Sequence, residues 1–203
     1  MKRKHPFSLP MLVFATLVTF AMMAVLACDN TVGPNDDDDI QRDATQPTGE
    51  GWLEIGGDEY FLSKLYFLDR DWDDQIDMRL VCNGLTMTES GHTGTGTMLW
   101  FELVFPGDSV TEGTFNYKWD PDPENDPYTF SEDSFIALDY EFIFGGEAWD
   151  EQAYLDGGNF TISISGATYT VSGEVVLDPS GDFGDTTAEF YYQGPVTASL
   201  WFD

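Results

Sequence analysis

The chain has 203 residues, with 8 lysines and arginines against 37 aspartates and glutamates, and a formal net charge of −29. That balance excludes nucleic-acid binding by phosphate neutralisation, which needs a basic face. At 42% hydrophobic and 15% aromatic the chain can build a core and is not an acidic disordered polymer, and its two cysteines are too few for a disulfide scaffold.

The chain opens on Lys2-Arg3-Lys4 and an apolar stretch from Phe7 to Ala27, interrupted only by Ser8, Pro10, Thr16 and Thr19. No acidic residue precedes Asp29. This is the layout of a secretory signal, and its length also suits a membrane-spanning helix. The end of the stretch separates the two. Val25-Leu26-Ala27-Cys28 resembles the bacterial lipobox, in which branched apolar residues and a small residue precede a cysteine. Leu26 is bulkier than the Ala or Ser usual there. The resemblance implies cleavage after Ala27, a diacylglyceryl thioether on the Cys28 sulfur, and acylation of the new amino group by a fatty acid such as palmitate. Several acyl chains, at about 0.8 kcal/mol per buried methylene, anchor a protein without a spanning helix. The alternative is an uncleaved apolar anchor with an incidental cysteine. Loss of residues 1–27 would remove three basic residues and no acid, leaving five basic residues against 37 acidic ones.

Asp29 to Gly49 reads as a tether. It holds Gly33-Pro34-Asn35, four successive aspartates from Asp36 to Asp39, and Pro47-Thr48-Gly49. With little to bury and like charges in a row, such a segment is extended. A lipidated cysteine followed by an acidic stretch resembles the surface-export signal of Bacteroidota lipoproteins. Asp directly after the cysteine also resembles the inner-membrane retention signal of enteric bacteria, and a plain solvated spacer has the same composition. The expected organisation is a signal peptide over 1–27, the lipidated cysteine and its tether over 28–49, and a single β domain over 50–203. The expected location is the cell envelope, lipid-anchored in the outer membrane and exposed at the surface.

From Gly51 onward the apolar period is two. Ile76, Met78, Leu80 and Cys82 share a face, with Asp77 and Arg79 opposite. Leu99, Phe101, Leu103 and Phe105 form another such run, as do Phe115, Tyr117 and Trp119. Ile136, Leu138, Tyr140, Phe142 and Phe144 alternate with Asp139 and Glu141; Phe160, Ile162 and Ile164 alternate with Thr161 and Ser163. Tyr169 and Val171, then Phe190 and Tyr192, continue the pattern. Turn-forming clusters separate the runs, among them Gly56-Gly57-Asp58, Pro106-Gly107-Asp108, Gly157-Gly158-Asn159 and Asp178-Pro179-Ser180-Gly181. The segment closest to helical is Glu147 to Tyr154. The expected fold is all-β: an antiparallel meander of about ten strands forming a β-sandwich or flattened barrel, each strand with one buried and one wet face. Cys82 is expected to be buried as a small hydrophobe. Gly158 to Ser165, Ala167 to Gly173 and Glu189 to Pro195 resemble the closing strands of β-rich Bacteroidota lipoproteins. That resemblance implies a β domain on a lipid anchor and no particular activity.

Three patterns bear on chemistry. In Asp69-Arg70-Asp71-Trp72-Asp73-Asp74-Gln75-Ile76-Asp77, the residues Asp69, Asp71, Asp73 and Asp77 match the D-x-D-x-D-G-x-x-D spacing of a calcium loop. Calcium takes six to eight oxygens, which closely spaced carboxylates on a turning backbone supply. Asp74 stands where the loop normally has glycine and Leu80 where a helix-flanked loop has glutamate, so a solvated hairpin tip is the competing reading. Next, three tryptophans precede aspartates, at Trp72-Asp73, Trp119-Asp120 and Trp149-Asp150. Trp72 and Trp149 are candidates to stack on a sugar ring while the acid accepts hydroxyl hydrogen bonds; packing at the domain ends is the alternative. The remaining carboxylate clusters (Asp120, Asp122, Glu124 and Asp126; Asp178, Asp182 and Asp185) read as solvated loops. Lastly, His92 is the only histidine after the signal, and no nucleophile elbow, zinc-ligand spacing or phosphate loop accompanies it.

The function expected from these residues is a non-enzymatic structural or binding role on a lipid anchor, with a glycan or an envelope protein as partner. A glycan-binding module and a carbohydrate-active enzyme using two carboxylates are the alternatives. Self-repulsion weakens so acidic a domain at low ionic strength, and salt relieves it by shortening the screening length from about 30 Å at 0.01 M to about 3 Å at 1 M. A saline or divalent-rich exterior is the environment expected.

Overall fold

The computed structural model describes residues 48–70, 75–88, 91–143, 146–148 and 151–202, and the regular elements among them are all β-strands. β1 (Glu50–Ile55) and β2 (Asp58–Leu62) pair around Gly56-Gly57. Both glycines hold positive φ, 62° and 95°, as the two-residue turn that suits strand twist demands. β3 (Lys64–Arg70) and β4 (Ile76–Val81) form the next antiparallel pair, and β5 (Thr86–Thr88) and β6 (Gly91–Thr93) a separate small sheet. Then come β7 (Thr95–Val104), β8 (Gly113–Tyr117), β9 (Thr129–Phe130), β10 (Phe135–Ile143) and β11 (Gly146–Ala148). The longest hairpin is β12 (Glu151–Ser165) with β13 (Thr168–Leu177), followed by β14 (Thr187–Gly194) and β15 (Ala198–Phe202).

Hydrogen bonding closes a ring of five strands, in which β7, β9, β8, β12 and β10 pair in that order and β10 returns to β7. The other strands of this sheet are bonded outside the ring: β4, β3 and β15 extend from β7, and β13, β14, β1 and β2 extend from β12, with β11 on β10. The two extensions meet at Ser63, the one residue between β2 and β3. There the Gly49 amide donates to the Ser63 carbonyl at 2.8 Å and the Ser63 amide to the Val81 carbonyl at 2.9 Å. The order departs from a meander. β8 with β9 and β15 with β3 are parallel pairs, and β1 pairs with the distant β14.

Three local expectations are corrected. The described residues of Glu147 to Tyr154 are strand, belonging to β11 and β12, with Ala153 and Leu155 turned inward on a period of two. Gly157-Gly158-Asn159 is no turn between strands; it lies inside β12, where the register to β13 slips between Leu155 and Gly157. The extra residue moves the inward positions from odd to even numbers, so Phe160 and Ile162 follow Ala153 and Leu155 into the core. Gly158 holds φ +96°, and a Cβ there would meet the Glu174 carbonyl oxygen at 2.3 Å. β10 breaks similarly at Ala137/Tyr140, with Asp139 at φ 48°. Ile136 and Tyr140 therefore do not share a face: Ile136 enters one core and Tyr140 another.

The larger core lies between the curled strands and centres on Phe101, Phe115, Phe130, Phe160 and Phe190, contributed by β7, β8, β9, β12 and β14. Phe101 and Phe160 have centroids 4.4 Å apart, and Phe115 stacks on Phe160 at 5.3 Å. The smaller core lies on the opposite face of β3, β4, β7 and β10. It gathers Tyr66, Leu68, Val81, Met98, Phe135 and Tyr140 with Leu85 and Met87 of the β5 segment, and Leu200 of β15 packs against it. β4 is consequently buried along its whole length. Cys82, just past β4, is buried as a free thiol.

Candidate functional site

β4 explains why charge lies inside this protein. Its odd-numbered residues face the smaller core, and two of them are Asp77 and Arg79, which alternation alone would put in water. They are buried together, Arg79 Nη2 donating to Asp77 Oδ2 at 2.9 Å. A charge removed from water needs a paired, hydrogen-bonded partner, and the spacing of two on one strand supplies it. The Arg79 guanidinium also lies 3.7 Å from the centroid of the Trp100 ring, its cross-strand neighbour on β7. Its Nη1 donates to Nε2 of His92 on β6, which puts the proton of the neutral ring on Nδ1. Burial, and next the nearby Arg79 charge, lower the His92 pKa from 6.5 to about 4. The His92 ring meets Tyr140 edge-on at 5.3 Å. A second cation, Lys64, is buried on the same side and donates to the carbonyls of Leu85 at 2.7 Å and Asn83 at 3.1 Å and to Thr86 Oγ1 at 3.0 Å. Burial lowers its pKa. Together these groups pin the β5–β6 hairpin onto the sheet. Sequence reading missed this cluster, and the available signal was an Asp and an Arg of opposite charge at the two "wet" positions of one strand.

The residues expected to bind calcium divide. Leu68 pairs with Asp77 and Asp69 with Ile76, so Asp69 and Asp77 point to opposite faces of the β3–β4 pair. Asp77 is committed to Arg79, while Asp69 lines a cleft of about 660 Å³ at one end of the fold. Asp71, Trp72 and Asp73 lie outside the described residues, as do Trp149 and Cys28. Among the described residues no group of three or more His, Cys, Asp or Glu is arranged to hold a metal ion.

That cleft is formed where β3 ends and β4 begins, against the segments around Pro106 and Pro123; among the described residues its carboxylates are Asp69, Asp108 and Glu124. The acidic loop on its rim serves mainly itself. Asp122 accepts from the Glu124 amide at 3.0 Å and from the Asn125 side chain at 2.6 Å, and Asp126 accepts from the Asp122 amide at 2.8 Å. A hydrogen bond from Lys118 and then the Asp122 amide hold the Asp126 carboxyl below its ordinary pKa. In the loop after β13, Asp178 accepts from the Ser180 amide and Asp182 from the Gln152 amide. Asp122, Asp126 and Asp178 fix turns, and Asp182 ties its loop to the start of β12. Trp119, the described member of the three Trp-Asp pairs, is 69% exposed, with Asp120 beside it at φ 48°. Comparison of the chain with protein-family models, curated proteins and solved structures finds no match.

Proposed function

We propose that the chain is a lipid-anchored β domain of the bacterial cell envelope, exposed at the outer-membrane surface and acting by binding rather than by catalysis. The observation that carries this reading is Val25-Leu26-Ala27-Cys28 at the end of an apolar stretch that follows Lys2-Arg3-Lys4. In this reading the ring and its added strands form one flattened barrel, held off the membrane by the acidic segment from Asp29 to Gly49. Intact mass spectrometry of the chain recovered from membranes tests it. Loss of residues 1–27 and the mass of acyl chains on Cys28 are expected, and Cys28→Ser abolishes both. A chain that keeps those residues and carries no fatty acid overturns it.

A glycan ligand is the second reading, favoured by the exposure of Trp119 beside Asp120. Glycan-array binding lost in Trp119→Ala, Trp72→Ala or Trp149→Ala supports it, and binding unchanged in all three removes it. Calcium, where bound, uses Asp69, Asp71 and Asp73 without Asp77. Millimolar calcium then raises the melting temperature, and Asp71→Asn cancels the rise.

A further inference from the structure

The outward face of β13, β14, β1 and β2 carries two adjacent cross-strand rows. Phe61, Trp52, Tyr191 and Ser172 stand opposite one another in one row, and Glu59, Glu54, Glu189 and Glu174 in the next. All four glutamates are exposed, as is Phe61. Neighbouring strands lie about 4.8 Å apart, so the glutamate side chains leave the sheet at about that spacing, and like charges directly opposite one another oppose folding. None of these four strands contains a lysine or an arginine. Trp52 and Tyr191 stack with centroids 6.5 Å apart, and a depression of about 400 Å³ is lined by both rings together with Glu174 and Glu189.

We propose that this face docks a lysine- or arginine-bearing segment of a partner protein. A cation laid on the Trp52 and Tyr191 rings is drawn by their π-faces, and the neighbouring carboxylates accept its N–H groups. The protein uses the same combination internally, where Arg79 sits over Trp100 and pairs with Asp77. A neutral sugar engages the rings but leaves four carboxylates repelling one another, whereas a cation relieves that repulsion. The inference rests on the binding role proposed above, naming the chemistry of the partner, and does not depend on the anchor.

The test uses the full chain in detergent and, as probe, a peptide of four arginines alternating with serines, titrated calorimetrically at fixed ionic strength. Glu174→Gln with Glu189→Gln is expected to weaken binding about tenfold, and so is Trp52→Ala. Asp108→Asn with Asp185→Asn, an equal charge change on exposed loops, is expected to weaken it less than about twofold. The glutamine pair is expected to melt no lower than the parent, which separates lost binding from lost folding. Equal weakening by both charge pairs overturns the proposal, since the attraction is then diffuse. So does an unaffected Trp52→Ala, or a neutral oligosaccharide that binds this face in place of the peptide. The acyl mass on Cys28 is read separately, so failure of the anchor leaves this result standing.

Discussion

Two parts of one sheet share a sequence rule and treat it differently. In β4, Ile76-Asp77-Met78-Arg79-Leu80-Val81 alternates and is buried on both faces. In β14, Thr187 to Gly194 alternates too, yet keeps Glu189 and Gln193 in water and buries only Ala188, Phe190, Tyr192 and Gly194. The difference comes from what covers the second face. Leu85 and Met87 of the β5 segment lie over the β3–β4–β7–β10 part, where Leu200 of the neighbouring strand β15 adds to the same face, and no described element lies over Trp52 and Glu54. Charged residues under the cover are compensated, Asp77 and Arg79 by each other and Lys64 by the carbonyls of Leu85 and Asn83; the four glutamates in the open are of one sign. A covered strand cannot bear an uncompensated charge, while an open one bears repulsion at modest cost.

The largest expected effect tests the covered part. Arg79→Met strips the buried Asp77 carboxylate of its cation and His92 of its donor, and is expected to destabilise by about 3–5 kcal/mol in chemical denaturation. Asp77→Leu with Arg79→Met removes both charges together and is expected to recover most of that loss. A double variant as unstable as the single one breaks the idea that pairing is what the cover demands. Lys64→Met comes next, at about 1–3 kcal/mol, because the Leu85 and Asn83 carbonyls lose their donor. Faster amide exchange over Thr86–Thr88 is expected to accompany it, since Lys64 ties that strand to β3.

His92 gives a smaller effect with a defined sign. Its folded pKa is about 4, against an ordinary 6.5. Between those values the unfolded chain takes up a proton that the folded chain refuses. Its contribution is therefore intact above about pH 6.5 and is lost progressively as pH falls toward 4. The loss is on the order of 1 kcal/mol once solvent screening of a partly exposed ring is allowed for. Denaturation at pH 7.0, 5.5 and 4.0 is expected to show a shallower fall in His92→Gln than in the parent, and the difference between the two isolates the histidine from the many carboxylates. Parallel curves contradict a neutral, half-buried ring held beside Arg79.

The all-β character was legible because period-two runs and turn residues are local signals, and Leu99, Phe101 and Leu103 lie in the core as their alternation requires. Two kinds of information were not local. Whether a strand's second face is covered depends on elements far along the chain, so Asp77 and Arg79 looked solvent-facing although they are buried. Register slips invert a face without changing composition: a glycine pair inside β12 reads like a turn, and the slip at Ala137/Tyr140 separates Ile136 from Tyr140. The acidic loops were legible as loops, since Asp122, Asp126 and Asp178 cap nearby backbone amides. The glutamate row was not legible, because it joins Glu54, Glu59, Glu174 and Glu189 through a register that only long-range pairing fixes.

The smallest expected effect concerns the open part and has the opposite sign. Glu54 faces Glu59 on one side and Glu189 on the other, so Glu54→Gln relieves two opposed pairs at once. Each pair is worth about 0.2–1 kcal/mol, and the variant is expected to be more stable than the parent by that order. Salt acts on the same repulsion. Raising NaCl from about 0.01 M to 1 M shortens the screening length from about 30 Å to 3 Å and is expected to raise the melting temperature of the parent more than that of Glu54→Gln. Arg79→Met, whose defect lies under the cover, is expected to keep the parent's full salt response, because ions screen exposed charges far more than buried ones. A parent whose melting temperature is indifferent to salt would mean that the glutamate row repels too weakly to matter, and the contrast between open and covered strands would then rest on the buried pair alone.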